Sequence, residues 1–157
     1  MVQVFWLLKS SDSPGHASRI HNHDKSHCWL SVLSGVVSEQ LYQPAVIQED
    51  ATLQLRSEAE SPTENSTCPL LLLLREAIRR EGDVGYINDT MSLHRVANCH
   101  VSSKTPSEST DLPSLTPGSV TLHLYAPPIR RVKVFEPGEQ KVYVRTPGYF
   151  SVHGVKS

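Results

Sequence analysis

Two histidines separated by a single residue, His21 and His23, stand near the start of the chain. In an extended segment, residues two apart point to the same face, so both imidazoles can reach one point in space. Neutral imidazole is the commonest metal ligand in proteins. The pair therefore indicates a metal site, although a surface strand with two solvated histidines fits His-x-His taken alone.

The residues around this pair strengthen the metal interpretation. Five residues separate Gly15 from His21, four separate His23 from Cys28, and six separate Cys28 from Gly35. This spacing resembles the first metal motif of the cupin superfamily, with a cysteine in the place of the usual glutamate. The spacing therefore predicts a metal site, and the cysteine predicts a thiol next to it.

A second cupin-like motif covers residues 82–98 and ends in His94 and Asn98. Three neutral histidines on one side of a metal leave the opposite positions open for substrate and oxygen. Three histidines are also a known catalytic zinc arrangement with a water in the fourth position. The ligand types alone therefore do not choose the metal.

The cysteine narrows the resemblance to the eukaryotic cysteine dioxygenases. The match runs in the same order from about Val4 to the C-terminus, and its motifs are specific because separated blocks each supply a residue that one iron site needs. These blocks are His-Asn-His-Asp-Lys-Ser-His-Cys (21–28), Tyr-Ile-Asn-Asp (86–89), Leu-His-Arg-Val (93–96) and Leu-His-Leu-Tyr-Ala-Pro-Pro (122–128).

The resemblance implies an iron(II) enzyme that converts L-cysteine and O2 to cysteine sulfinate, in the catabolism of cysteine towards taurine and sulfate. It implies Fe(2+) ligation by His21, His23 and His94. It also implies a thioether crosslink between Cys28 and Tyr125, which favours iron because zinc has no redox chemistry to form it. A small buried hydrophobic residue is the ordinary role of a free cysteine and stays the alternative for Cys28.

The segment Thr121-x-His123-x-Tyr125 places three polar side chains on one face of a predicted strand. The resemblance implies that Tyr125 hydrogen-bonds the substrate, that His123 orients the phenol or lies beside the substrate carboxylate, and that Thr121 extends this polar row. Without the histidine motifs, an ordinary half-buried strand face would explain the same pattern.

Other polar residues receive structural assignments. Asp89 is predicted to support the site from outside, since a carboxylate there would accept backbone or imidazole N–H groups. His27 is assigned a structural role and Trp29 a packing role. The remaining histidines without a motif are expected to be solvated or locally hydrogen-bonded, namely His16, His100 and His153.

The resemblance is incomplete before the first histidine motif. The arginine that clamps the substrate carboxylate in these enzymes has no counterpart in this sequence, and neither has the N-terminal helical part, so the chain is interpreted as N-terminally shortened. Arg19 shares the strand parity of His21 and His23 and is a possible substitute, but a solvated arginine is the expected reading. Three alternatives stay open: a dioxygenase of another small thiol such as 3-mercaptopropionate, a non-catalytic metal-binding cupin fragment and, last, a zinc hydrolase.

Length and composition fit one domain over residues 1–157. Lys and Arg total 15 against 16 Asp and Glu, so no basic field for nucleic acid is present. Three cysteines are an odd number with no paired spacing, which argues against a secreted disulfide framework. No signal peptide or membrane-spanning segment is recognised, so a cytoplasmic monomer is expected.

Many short strands with regular turns predict an all-β fold, an antiparallel β-barrel of the cupin jelly-roll type. Residues 28–33 and 36–42 form a predicted hairpin around Gly35. Residues 43–69 and 101–118 are predicted surface loops. Helix propensity favours a helix over residues 70–81, whereas the resemblance makes the first half of this segment a buried strand. The other predicted strands are 2–8, 19–23, 82–87, one from His94, 120–125, 132–135, 141–145 and 149–153.

Overall fold

The structure is a computed structural model that describes residues 3–8, 16–47, 53–55, 67–99, 118–146, 151–152 and 155–156. One short 3-10 turn, Pro137–Glu139, occurs in these ranges. The strands are β1 (Gln3–Leu8), β2 (Ile20–His21), β3 (His27–Ser34), β4 (Val36–Ile47), β5 (Leu53–Leu55), β6 (Leu70–Arg80), β7 (Val84–Ile87), β8 (Leu93–Asn98), β9 (Val120–Ala126), β10 (Val132–Glu136), β11 (Lys141–Arg145), β12 (Ser151–Val152) and β13 (Val155–Lys156).

Two antiparallel sheets contain all but the last two of these strands. The first sheet has the order β1-β9-β3-β7, and the second has the order β11-β10-β2-β8-β4-β5. In the second sheet β6 also pairs with β4, outside this linear order. The strands β12 and β13 pair with each other. The prediction of an all-β cupin jelly roll is confirmed.

The core lies between the two sheets. On β3, Cys28, Leu30 and Val32 are buried, while Trp29 between them is exposed, as strand alternation requires. Leu30 and Val32 pack against buried residues of the second sheet, one on β4 and one on β8. Each such side chain stabilises the fold by about 1.5–3 kcal/mol, so the interior face of β3 is fixed in place.

The predicted hairpin around Gly35 is wrong. The strands on either side of this glycine belong to different sheets: β3 pairs with β7 and β9, and β4 pairs with β5, β6 and β8. Gly35 has a φ of +82°, and a Cβ at this position would lie 2.7 Å from the Ser119 hydroxyl oxygen. The glycine therefore turns a corner from one sheet into the other, because no side chain fits there.

The predicted loop over residues 43–69 begins too early and contains a strand. β4 continues to Ile47, and β5 pairs with its end. The polar composition was misleading because strand pairing uses backbone groups, which a polar residue supplies as well as an apolar one. Of the second predicted loop, residues 101–117 lie outside the described ranges.

Residues 70–80 form an extended strand, so the helix that propensity favours does not form. Pairing with β4 along nearly its whole length supplies backbone hydrogen bonds that override the preference. The strand is not buried as expected, however: Leu73, Leu74 and Ile78 are 52%, 48% and 51% exposed. A run of leucines therefore indicates a strand here without indicating a core.

Candidate metal centre

Strand pairing places two of the histidines opposite each other. The short strand β2 lies between β10 and β8, and His21 on β2 is directly across from His94 on β8. The predicted strand over 19–23 is shorter in the structure and ends at His21. His23 therefore lies in the turn that follows, where strand alternation no longer sets its direction.

Asp89 holds this turn. Its carboxylate accepts hydrogen bonds from the backbone N–H groups of His23 at 2.5 Å and Lys25 at 2.6 Å. Asp24 and Lys25 both have positive φ, 52° and 63°, a conformation that costs about 1–2 kcal/mol for each residue without such support. Asp89 therefore accepts backbone N–H groups, as the sequence analysis predicted.

The three imidazole rings meet at one point between the sheets. Ring centroids are 5.3 Å apart for His21 and His23, 4.7 Å for His21 and His94, and 4.6 Å for His23 and His94. One nitrogen of each ring lies within 4.8 Å of the other two. His23 and His94 are fully buried, and His21 is partly exposed. The arrangement offers three ligand atoms to a metal ion.

The hydrogen bonds of the outer ring nitrogens show that these residues fit a cation. His21 Nδ1 lies 2.8 Å from the Arg19 carbonyl oxygen, and His94 Nδ1 lies 3.2 Å from a carboxylate oxygen of Glu39. These acceptors favour a proton on Nδ1 and a lone pair on Nε2. His94 Nε2 faces His23 Nε2 at 3.2 Å. At this separation one cation could accept a lone pair from each of the two rings.

Burial keeps two of these rings neutral. Desolvation, followed by the neighbouring His23, lowers the pKa of His21 from 6.5 to about 4. Desolvation also lowers the pKa of His94 well below its usual value, and the His21 and His23 rings add to this effect. Metal binding requires unprotonated imidazole, so these two ligands are ready at neutral pH.

The predicted cysteine and tyrosine lie beside the histidines. Cys28 on β3 is directly across from Tyr125 on β9, and both side chains are buried. The centroid of the Tyr125 ring lies 6.1 Å from that of His23. Burial raises the pKa of Cys28 to about 12, although its hydrogen bond with Tyr125 works in the opposite direction. Burial and the neighbouring Cys28 raise the pKa of Tyr125, so both groups are protonated at neutral pH.

The three polar residues of β9 share one face, as the alternation predicted, and this face points into the interior. Thr121, His123 and Tyr125 are buried, with less buried residues between them. His123 Nδ1 lies 3.4 Å from the Tyr125 hydroxyl, and His123 Nε2 lies 3.1 Å from the Thr121 hydroxyl. The ring of His123 therefore connects the two hydroxyl groups in one hydrogen-bonded row.

Two of the other assignments fall on the outside of the barrel. His27 is exposed, its Nδ1 lies 2.5 Å from the Tyr86 hydroxyl, and its ring stacks on Trp29. Trp29 is itself exposed, so its predicted packing is with these surface rings and not with the core. His16 is exposed, as expected, and His100 and His153 lie outside the described residues.

Arg19 does not reach the histidines, as an arginine that clamps the substrate carboxylate would have to. Its guanidinium pairs with Glu136 at 2.6 Å, and its side chain is 61% exposed. The expectation of a solvated arginine at this position therefore agrees with the structure. The strand parity that suggested an inward direction does not apply, because β2 begins at Ile20, after Arg19.

Glu39 is a site residue that the sequence analysis missed. It is buried on β4, and one of its carboxylate oxygens faces His94 while the other binds Arg79. A usable signal existed, since Glu39 shares strand parity with Val37 and Leu41 and is a charged residue on an otherwise apolar face.

Replacing Asp89 with asparagine should destabilise the metal-free protein by about 2–3 kcal/mol, because the hydrogen bonds from the backbone N–H groups of His23 and Lys25 lose their charged acceptor. Burial opposes ionisation of Asp89, but the hydrogen bonds from His23 and Lys25 lower its folded-state pKa below the reference value of 3.8. Its contribution is therefore present above about pH 4 and is lost as the pH falls through the lowered folded-state pKa.

Urea unfolding at pH 7 and pH 3 measures this effect. Asp83→Asn is the matched control, because the exposed Asp83 carboxylate accepts one backbone N–H, at 2.7 Å, in another turn. The loss should exceed that of the control at pH 7 and shrink at pH 3. Equal losses for the two variants at pH 7 would contradict the role given to Asp89.

The described residues contain no helix that is long and apolar enough to cross a membrane. Comparison with known proteins gives a specific match. Residues 5–138 match the family model for cysteine dioxygenase type I. This range contains all the residues of the centre described above.

Individual relatives carry the same description. The chain is 30% identical to cysteine dioxygenase type 1 of Danio rerio over 122 residues, which is 78% of this chain and 45% of the relative. It is 30% identical to that of Bos taurus over 145 residues (91% and 55%) and 31% identical to that of Homo sapiens over 122 residues (78% and 44%). The chain spans about half the length of these curated relatives. The family match covers most of the chain itself, and the chain belongs to the cysteine dioxygenase type I family.

Proposed function

We propose that this chain is an iron(II)-dependent dioxygenase that converts L-cysteine and O2 to cysteine sulfinate. The observation that carries the proposal is the position of Cys28 and Tyr125 beside three convergent histidines. Three histidines alone would suit zinc equally well. A thiol and a phenol side by side at the same centre favour a metal with redox chemistry.

Ferrous iron would be held by His21, His23 and His94 and, when bound, would activate O2 next to the substrate sulfur. Because all three ligands are neutral, the centre would keep the full charge of the ion. This favours an anionic thiolate as the incoming ligand. The family match supports L-cysteine over 3-mercaptopropionate as that thiol.

Tyr125 is the residue that we propose to contact the substrate directly. Its hydroxyl stays protonated at neutral pH because burial raises its pKa, so it can donate a hydrogen bond. His123 would hold the phenol ring from one side, and Thr121 would hold His123. The row thereby fixes a donor that would otherwise have rotational freedom.

We further propose a thioether crosslink between Cys28 and Tyr125. The S–H bond of the cysteine and one C–H bond of the phenol ring would break, and a C–S bond would form. The two electrons and two protons released would pass to O2, which the proposed reaction already uses. The direct pairing of the two residues across β3 and β9 supports this step.

We also propose that the protein acts as a monomer in the cytoplasm. The three cysteines, Cys28, Cys68 and Cys99, are free thiols in the structure. Free thiols suit a reducing compartment.

Oxygen uptake by the ferrous protein tests the proposed reaction. We expect about one O2 consumed for each cysteine, with cysteine sulfinate as the product, and slower uptake with 3-mercaptopropionate. Uptake no faster than with free ferrous salt at the same concentration would contradict the proposal, and the non-catalytic alternative would then hold if iron still bound.

A further inference from the structure

Glu39 is a charged residue in the interior of the barrel. It is only 2% exposed and lies on β4, where it shares a face with Leu41, the residue directly across from His94 on β8. Glu39 and His94 are thus diagonal neighbours on the inner face of the second sheet. A buried carboxylate is costly unless each of its oxygens has a partner, so the contacts of this residue require an explanation.

Its two oxygens have separate partners. One oxygen faces His94 Nδ1 at 3.2 Å. The other accepts from Arg79 on β6, where both Nε and Nη2 lie 2.6 Å away. Arg79 balances the charge of Glu39, so the carboxylate can orient the ring without changing the net charge near the histidines. The row Arg79–Glu39–His94 therefore crosses three adjacent strands.

Gly85 makes room for the arginine in this row. A Cβ at this position would lie 2.8 Å from Arg79 Cζ and 2.9 Å from Nε and Nη2. Arg79 also donates through Nη1 to the Val84 carbonyl oxygen at 3.2 Å. The guanidinium is thus held against the backbone of β7, which belongs to the other sheet, and its position towards Glu39 is fixed from both sides.

We propose that Glu39, fixed by Arg79, is a positioning residue that holds the Nδ1–H of His94 and aims its Nε2 at the metal. A carboxylate that accepts from the outer nitrogen of a ligating histidine fixes the tautomer and direction of the ring. The inference deepens the proposed function and rests on it only in requiring that the three histidines bind a metal.

A pair of double variants tests the hydrogen bond itself. Glu39→Leu with Arg79→Leu removes the acceptor without leaving a buried arginine unpaired. Glu39→Gln with Arg79→Leu has the same arginine change but keeps an amide oxygen that can accept from Nδ1–H. Glu76→Gln is the matched control, since Glu76 also lies on β6 but is exposed and accepts from Ser38 and Gln40.

The measurement is the dissociation constant of Co(II), followed by its visible absorption. The Leu/Leu variant should bind Co(II) about 10- to 100-fold more weakly than the parent chain. The Gln/Leu variant should recover most of this loss, and Glu76→Gln should bind like the parent. Binding by the Leu/Leu variant within twofold of the parent, or equal losses in both double variants, would overturn the inference. Failure of the parent itself to bind would instead contradict the proposed function.

Nuclear magnetic resonance of the parent chain gives a second reading that needs no variant to fold. In ¹⁵N-labelled, Zn(II)-loaded protein, His94 should show a protonated Nδ1 whose hydrogen exchanges slowly with solvent. A His94 ring protonated at Nε2, or an Nδ1–H that exchanges as fast as that of an exposed histidine, would overturn the inference.

Discussion

Replacing His94 with alanine should weaken the binding of ferrous iron by more than about 100-fold, since even the loss of a residue that only supports a ligand costs about 10- to 100-fold. His94 is fully buried, and its Nε2 lies 3.2 Å from His23 Nε2. No water-exposed group can therefore take its place without rearrangement. Anaerobic titration with ferrous salt, followed by measurement of the iron retained after desalting, gives the affinity and the stoichiometry.

His27→Ala is the matched control for this variant. His27 lies on β3 but outside the barrel, where it stacks on Trp29 and Tyr86. Iron binding by the control should equal that of the parent, near one ion per chain. Full iron retention by His94→Ala, or a similar loss in both variants, would remove the assignment of the three-histidine centre.

Replacing Tyr125 with phenylalanine should lower turnover of L-cysteine by roughly 10- to 100-fold, because a hydrogen bond to a charged group contributes about 1.5–3 kcal/mol. The phenol ring itself stays in the core, so folding should be preserved. A phenol ring is oxidised more readily than a phenyl ring, so we expect the crosslinked fraction to fall as well. Denaturing mass spectrometry of turned-over protein should find the parent two hydrogens lighter and the variant largely at its full mass.

Two further variants separate the crosslink from the hydrogen bond. Cys28→Ser should abolish the lighter species entirely and keep the phenol hydroxyl, so its turnover should exceed that of Tyr125→Phe. Cys99→Ser is the matched control, and it should form the crosslink like the parent. A lighter species that persists in Cys28→Ser would show that the two lost hydrogens come from another pair of residues.

Sequence patterns located most of the strands because alternation and turn residues are local properties. The strand predicted over 120–125 is β9 almost to the residue, and the three polar residues predicted to share a face do share one. The connection at Gly35 was misjudged for a physical reason. A glycine between two strands allows both a hairpin and a corner, and the choice depends on Ser119, which lies more than eighty residues away.

The residues that form the site could be predicted better than the residues that hold them in place. The three histidines and the Cys28–Tyr125 pair carry recognisable spacing, and the structure brings them together. Their support comes from long-range contacts that no spacing records: Asp89 lies 66 residues from His23, and Glu39 lies 55 residues from His94. The sequence assigned Asp89 a supporting role and marked Glu39 as a charged residue on an apolar face, but which groups each of them contacts follows only from the fold.

The most direct test of the account is the isotopic composition of the product formed from L-cysteine under ¹⁸O₂. If the three histidines hold ferrous iron beside the Cys28–Tyr125 pair and the chain is a dioxygenase, the cysteine sulfinate should contain two ¹⁸O atoms per molecule. Sulfinate with one label or none, or cystine as the only oxidised product, would contradict it.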